Sequence, residues 1–294
     1  TGTGTFLVEA IEMIYQTLFI KWRKAGCTDE EIASLWSNYV PVNLLPRLYG
    51  YELLMAPYAI AHLKVSLKLL ETGYKFGQKD RINIFLTNAL SGPKNFDETF
   101  EFAIPALDHE AHAVNEVKSN RKFSVVVGNP PYSGISSNMN DESAKSIEPY
   151  KYIAGEHFGE KKHWLQDDYV KFIRLAEMQI ERTGFGVVGY ITNHAFLDNP
   201  TFRGMRWHLL ETFTNMFIVD LHGNVMKQEA PPNGLKNENV FDIQQGVAMF
   251  VFSKSLTPGL RAHLTYGDMW GTRAEKYATL NISSLQELTP TEIV

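Results

Sequence analysis

An α/β fold is what this sequence predicts, because runs with helical periodicity alternate with short β-rich runs along most of its length. Two further features carry chemistry. A glycine-bearing turn, Thr1-Gly2-Thr3-Gly4-Thr5, stands directly before the first helical run, and the tetrapeptide Asn129-Pro130-Pro131-Tyr132 follows an apolar run at residues 123–127. In α/β proteins the carboxyl ends of strands and the starts of helices are where ligands are held.

The first helix is predicted from Phe6, Leu7, Ala10, Ile11, Ile14, Tyr15, Leu18, Phe19 and Trp22, which fall on one stripe at helical spacing. The glycine turn before it offers free N–H groups and a positive dipole end to an anionic cofactor group. No Gly-Lys-Ser/Thr follows, so it is not a P-loop; the same glycines also suit a flexible terminus. Residues 47–53 read as a short strand ending at Glu52, followed by a helix over 55–70. An acidic residue in that position can accept both hydroxyls of a ribose, or simply face water. A third strand-like run at 82–86 ends in Thr87-Asn88-Ala89-Leu90, where Asn88 can bond an adenine edge or close a turn.

The tetrapeptide at 129–132 suits methylation of a planar amino group. An exocyclic amine is a poor nucleophile because its lone pair is delocalised into the ring, and two acceptors on its two N–H bonds pull the nitrogen toward tetrahedral geometry. The Asn129 side-chain oxygen and the Pro130 carbonyl can supply them, since proline fixes φ and so the direction of its carbonyl. Tyr132 offers a π-face for stacking, typically worth about 1–3 kcal/mol per base. The plain alternative for the same residues is a strand followed by a proline turn.

Beyond the tetrapeptide, the polar stretch 133–160 is expected to be a mobile loop. A helix is expected over 168–181, with Tyr169, Ile173, Ala176 and Ile180 on one face. Residues 186–192, 216–221 and 246–252 read as strands, with a helical run at 202–213 between the first two, and the last two can pair antiparallel. His194, His208 and His222 show no metal-ligand spacing with one another or with a carboxylate, so they read as structural or surface groups and no metal is expected. The pattern weakens from residue 253 onward.

Composition fits a cytoplasmic globular enzyme. The one cysteine, Cys27, excludes a disulfide framework and a cysteine-based zinc cluster. The most apolar helical run, 53–70, is interrupted by His62, Lys64 and Lys68, so no membrane role is expected. A formal net charge of -5 excludes a grip on nucleic acid by overall basicity. Local candidates for phosphate contact are Lys161, Lys162, Arg203 and Arg206, each of which also fits a solvated face.

With those residues in view, the chain resembles an S-adenosylmethionine-dependent adenine-N6 DNA methyltransferase of the type fused into large single-chain restriction-modification enzymes, types ISP and IIG. Thr1 to Phe6 is similar to the second half of the family motif Asp-Pro-Ala-x-Gly-x-Gly-x-Phe, Glu52 to the ribose-binding acid, Thr87-Asn88-Ala89-Leu90 to the adenine-contacting turn, and Asn129 to Tyr132 to the catalytic motif. The similarity continues through Asp168-Tyr169-Val170-Lys171-Phe172-Ile173-Arg174, Asp220-Leu221-His222-Gly223-Asn224 and the string from Asn239 to Ala248.

The resemblance implies a Rossmann-like class I methyltransferase fold: a mostly parallel sheet with helices on both faces and an antiparallel edge ribbon. It implies cofactor contacts at Thr1, Gly2, Thr3, Gly4, Phe6, Glu52, Asn88 and Ala89, catalysis at Asn129, Pro130, Pro131 and Tyr132, and a second aromatic face for the base at Phe241. The partner it implies is double-stranded DNA with a flipped adenine. Residues 1–254 are expected to be the catalytic domain and 255–294 an extension toward a target-recognition domain. The family's first strand and its acidic motif half are expected upstream of Thr1, and without them cofactor affinity and solubility should be low. Two other readings stay open: a protein-glutamine N5 methyltransferase, whose planar amide poses the same lone-pair problem, and a non-catalytic cofactor-binding module.

Overall fold

The computed structural model describes residues 1–78, 80–93, 105–131, 136, 138, 141–159, 163–227, 229–232, 234, 236–257, 259 and 261–293. The chain divides into two compact units, Thr1–Arg121 and Lys122–Val294.

In the first unit, α1 (Thr5–Lys24) starts at Gly4, which sits in the left-handed region, and ends in Lys21, Arg23 and Lys24, cations that complement the helix dipole. A Thr28–Glu31 capping box starts α2 (Asp29–Tyr39). Strand β1 (Tyr49–Glu52) leads into α3 (Met55–Glu71), which returns the chain to β2 (Asn83–Leu86). Because α3 is a crossover, β1 and β2 pair in parallel, from Tyr49 opposite Asn83 to Glu52 opposite Leu86. Leu7, Ile11, Trp36, Val65, Leu69 and Ile84 form the core beneath them. The unit closes with α4 (Pro105–Asn120).

The second unit opens with β3 (Val125–Gly128). The expected loop over 133–160 is corrected where the structure describes it: α5 (Asp141–Ser146), a 3-10 turn at Glu148–Lys151 and a hairpin of β4 (Tyr152–Ile153) with β5 (Glu156–His157) occupy it. Ile147 and Tyr150 are wholly buried there, so apolar anchoring outweighs the polar composition that suggested a loop. Next come α6 (Asp168–Thr183), β6 (Gly186–Asn193), α7 (Arg203–Thr212), β7 (Asn215–His222) and β8 (Val247–Lys254). The stretch 255–294 supplies β9 (His263–Asp268), α8 (Arg273–Ile282), α9 (Leu285–Leu288) and β10 (Thr291–Glu292).

The six-stranded sheet has the order β10-β9-β7-β8-β6-β3. Strands β3, β6, β7 and β9 run one way, while β8 and β10 run the other. The sheet is therefore mixed, which corrects the expected mostly parallel one. The cause is local: β8 inserts between β6 and β7 and pairs antiparallel with both, so it supplies two antiparallel ladders rather than an edge ribbon. The predicted face of α6 is confirmed, with Tyr169, Ile173, Ala176 and Ile180 all buried in the main core. At the far end of the sheet order, β3 exposes Val125 and Val127.

Among the described residues no helix is long and apolar enough to cross a membrane.

Candidate active site

In the first unit three separated sequence signals meet at the carboxyl end of β1. Glu52 ends that strand, and its carboxylate accepts hydrogen bonds from the main-chain N–H groups of Gly2 at 2.7 Å and of Leu53 and Leu54 at 3.0 Å each. The Glu52 carbonyl in turn accepts from the Thr87 N–H at 2.7 Å, which ties the turn after β2 to the same place. The Thr1 nitrogen donates to the Tyr51 carbonyl at 2.8 Å. Glycine is needed in the turn: Gly4 has φ +81, and a Cβ there would lie 3.1 Å from the backbone of Ala61.

The turn Thr87 to Leu90 is closed by the Asn88 side chain, whose oxygen accepts from the Leu90 N–H at 2.9 Å. Lys118 holds it, donating to Thr87 Oγ1, the Asn88 carbonyl and the Ser91 carbonyl. Thr3 and Ala89 are half-buried, and Phe6 is exposed. Lys118 is a positioning residue that sequence reasoning missed, because its contacts lie about 30 residues away in the chain.

In the second unit Asn129, Pro130 and Pro131 follow β3 directly. Pro130 is buried, while Asn129 and Pro131 are exposed. The strand end is thus anchored by a proline, with the amide presented to solvent. Tyr132 lies outside the described residues, as do Lys161 and Lys162.

The segment beyond the motif is held by the first turns of α6. Ser136 Oγ donates to Asp168 Oδ1 at 2.5 Å, and the Lys171 ammonium donates to Ser136 Oγ at 2.8 Å and to the Asn138 carbonyl at 2.5 Å. Burial lowers the Lys171 ammonium below its ordinary range, against the pull of Asp168 and Asp167. Helical periodicity alone could not find this anchor, since it marks the apolar face of α6 and not the buried polar residues Asp168 and Lys171.

The remaining expected residues have these places. Phe241 is half-buried against the cluster of Val219, Leu221, Val240, Val247 and Met269. Arg203 is exposed and stacks its guanidinium on Phe158 at 4.6 Å. Arg206 donates to the carbonyls of Phe196 and Asn199 at 2.7 and 3.0 Å, and burial lowers its pKa.

The histidines, read from the sequence as structural or surface groups, fall in two clusters with carboxylates. His194 and His222 come together with Asp220, one possible ligand atom of each within 4.8 Å of the others. His208, with Glu177 and Glu181, forms a second such group. There Glu177 already accepts from Arg174, Tyr150 and His208, so that group is a satisfied ion network.

Comparison with known proteins adds the following. A family profile described as Eco57I restriction-modification methylase matches residues 47–226. The structure is similar to that of the ATP-dependent Type ISP restriction-modification enzyme LlaBIII bound to DNA, with a TM-score of 0.71 and 21% identity, over 95% of this chain and 18% of that one. It is similar to the DrdV–DNA complex, with a TM-score of 0.71 and 23% identity, over 100% of this chain and 26% of that one. It is also similar to a nuclease-deletion mutant of the Type ISP enzyme LlaGI in complex with a DNA substrate mimic, with a TM-score of 0.70 and 20% identity, over 96% and 23% of the two chains. At these identities the likeness is one of fold, and this chain spans about a quarter or less of each neighbour's length. No curated protein matches the sequence.

Proposed function

This chain belongs to the Eco57I restriction-modification methylase family, and we propose that it transfers the methyl group of S-adenosylmethionine to N6 of an adenine in double-stranded DNA. The observation that carries this reading is Asn129-Pro130-Pro131 at the carboxyl end of β3, where a buried proline anchors an exposed amide. That is the arrangement an aromatic amine needs: a fixed carbonyl and a side-chain acceptor side by side.

The first unit fits the cofactor. A cradle of glycine backbone stands before a helix of 20 residues, where a Cβ on Gly4 would crowd Ala61. A carboxylate at Glu52 already collects N–H donors at the end of β1. Glu52 would hold the ribose hydroxyls, the turn Thr1 to Gly4 with Phe6 the amino-acid end, and Asn88 and Ala89 the adenine edge. When bound, S-adenosylmethionine supplies an electrophilic methyl group on a positively charged sulfur.

The protein's own contribution is positioning and hydrogen bonding. The target adenine leaves the duplex at an unpairing cost of a few kcal/mol, on the order expected for base-flipping enzymes. Tyr132 stacks on the base, with Phe241 as the second aromatic face. The Asn129 side-chain oxygen and the Pro130 carbonyl accept the two N–H bonds of the amine and bend it toward tetrahedral. The freed lone pair forms the new N–C bond as the methyl carbon leaves sulfur, and the surplus proton passes to water. No strong general base is needed.

Support for DNA as the substrate comes from the family and from fold neighbours determined with DNA or a DNA mimic. In a larger restriction-modification enzyme, sequence reading would belong to a recognition segment of the same chain, which relieves this acidic unit of most of the grip on phosphates. The test is transfer of labelled methyl from the cofactor to DNA, followed by hydrolysis and identification of the base. Label in N6-methyladenine is the expected result. Label in a protein glutamine, or in no acceptor, overturns the reading.

A further inference from the structure

We propose that His194, His222 and Glu229, with Asp220 as the carboxylate behind His194, form a binding site for one divalent transition-metal ion of the zinc type, a site that methyl transfer does not use. The four side chains come from the end of β6, the end of β7 and the turn after it, and all lie within the second unit. His194, Asp220 and His222 are each less than 10% exposed.

The hydrogen bonds around the two rings orient their lone pairs inward. His222 Nε2 donates to Asp268 Oδ1 at 2.7 Å, which leaves Nδ1 as the ring nitrogen carrying a lone pair. That Nδ1 is buried without a hydrogen-bond partner and stands 3.7 Å from both Asp220 Oδ2 and Glu229 Oε1. His194 Nδ1 donates to Asp220 at 3.1 Å, so its lone pair is on Nε2, which accepts from the Asn224 side-chain amide at 3.1 Å, a bond an ion would replace, and lies 3.8 Å from the same Glu229 Oε1. A carboxylate behind each ligating imidazole is the arrangement that fixes tautomer and ring direction at metal sites.

The His222 Nδ1 makes no hydrogen bond, whichever protonation state the ring takes. A neutral His222 points a lone pair at two carboxylate oxygens, and a protonated one points its N–H at oxygens too distant to accept it well. A metal ion resolves both cases. Ligand atoms about 2.1 Å from a tetrahedral ion stand about 3.4 Å apart, so the observed 3.7 and 3.8 Å need only a small contraction. Two imidazoles with carboxylates suit Zn²⁺ and its first-row neighbours rather than Mg²⁺ or Ca²⁺.

The backbone is shaped to present the ring. His222 has φ +52, and the pairing of β7 with β8 slips between Asp220 and His222. Such a bulge aims a side chain that regular pleating would turn elsewhere. Trp270 stacks on His222 with ring centroids 3.5 Å apart, and the site borders a cavity of about 430 Å³ through which an ion can enter.

The test is direct metal binding by the full chain, stripped with a chelator and titrated with Zn²⁺ by calorimetry and with Co²⁺ by visible absorption. One saturable equivalent is expected, with Co²⁺ bands of a four- or five-coordinate site and a raised unfolding temperature. His222→Ala and Glu229→Gln should each weaken binding at least tenfold, and Asp268→Asn, which touches only the outer partner, about tenfold or more. Should His222→Ala fail to fold by circular dichroism, His222→Asn tolerates the left-handed backbone and serves instead. Absence of a saturable equivalent in the parent chain overturns the proposal, and so does binding that Glu229→Gln and the His222 variants leave unchanged. The readout is independent of methyl transfer, so either conclusion can fail without the other.

Discussion

The Gly2 N–H donates to Glu52 Oε2 at 2.7 Å, joining the turn before α1 to the end of β1 across about 50 residues of sequence. This bond makes the glycine turn and the acidic strand end one structural object. The same carboxylate caps the first N–H groups leading into α3. On the proposed function a ribose bound there would compete with, or add to, these contacts, so Glu52 would serve both the fold of the turn and cofactor affinity.

Glu52→Ala is therefore expected to weaken S-adenosylmethionine binding by roughly 10- to 100-fold, the loss of hydrogen bonds to a charged acceptor worth about 1.5–3 kcal/mol. Calorimetric titration with the cofactor checks it. An unchanged Kd would remove Glu52 from the site.

In the proposed reaction Asn129 acts on the other substrate. Its replacement by alanine should lower kcat by about 100-fold or more, the scale on which loss of one oriented transition-state hydrogen-bonding group is felt. Cofactor affinity should stay within a factor of two or three of the parent, as the side chain is exposed beyond β3. Paired single-turnover and binding measurements separate the two effects.

Lys171→Met keeps the length of a side chain buried on α6 while removing its bonds to Ser136 and the Asn138 carbonyl. The segment after the motif should loosen, slowing turnover by about tenfold with little change in global stability. Limited proteolysis near residues 136–143 is the structural readout, and cleavage should accelerate in the variant.

Glu177 predicts a pH dependence. Burial would raise its pKa, yet hydrogen bonds from His208 and Arg174 and their positive charge outweigh burial and leave it below the ordinary glutamate range. A depressed carboxylate contributes stability that is complete above its unfolded-state value and is lost as pH falls through the folded one. The unfolding temperature should drop on acidification through and below the ordinary glutamate range. Glu177→Gln should flatten that acid limb and cost about 3 kcal/mol at neutral pH, since it leaves the buried Arg174 partly uncompensated.

Much of this molecule was legible in its sequence because the relevant signals are local. The periodicity from Phe6 to Trp22 becomes α1, and Tyr169, Ile173, Ala176 and Ile180 lie on one buried face of α6, since a helix repeats every 3.6 residues whatever surrounds it. The strand ends at Glu52 and Gly128, with the motifs that follow them, were readable for the same reason. The polar stretch after the tetrapeptide misled, because two apolar anchors, Ile147 and Tyr150, outweighed its composition.

By itself, then, the amino-acid order determined α1, α3, α6 and α7, strands β1 to β3 and β6 to β8, the family resemblance and the residues proposed to carry methyl transfer. Only the tertiary structure decided that β8 runs antiparallel between β6 and β7, that Lys118 braces the turn at Asn88, and that His194, Asp220, His222 and Glu229 face one another. The physical reason is distance along the chain. Helical pitch, strand alternation and proline geometry act between near neighbours, whereas strand order and the meeting of groups 20 to 35 residues apart depend on which apolar faces bury against each other.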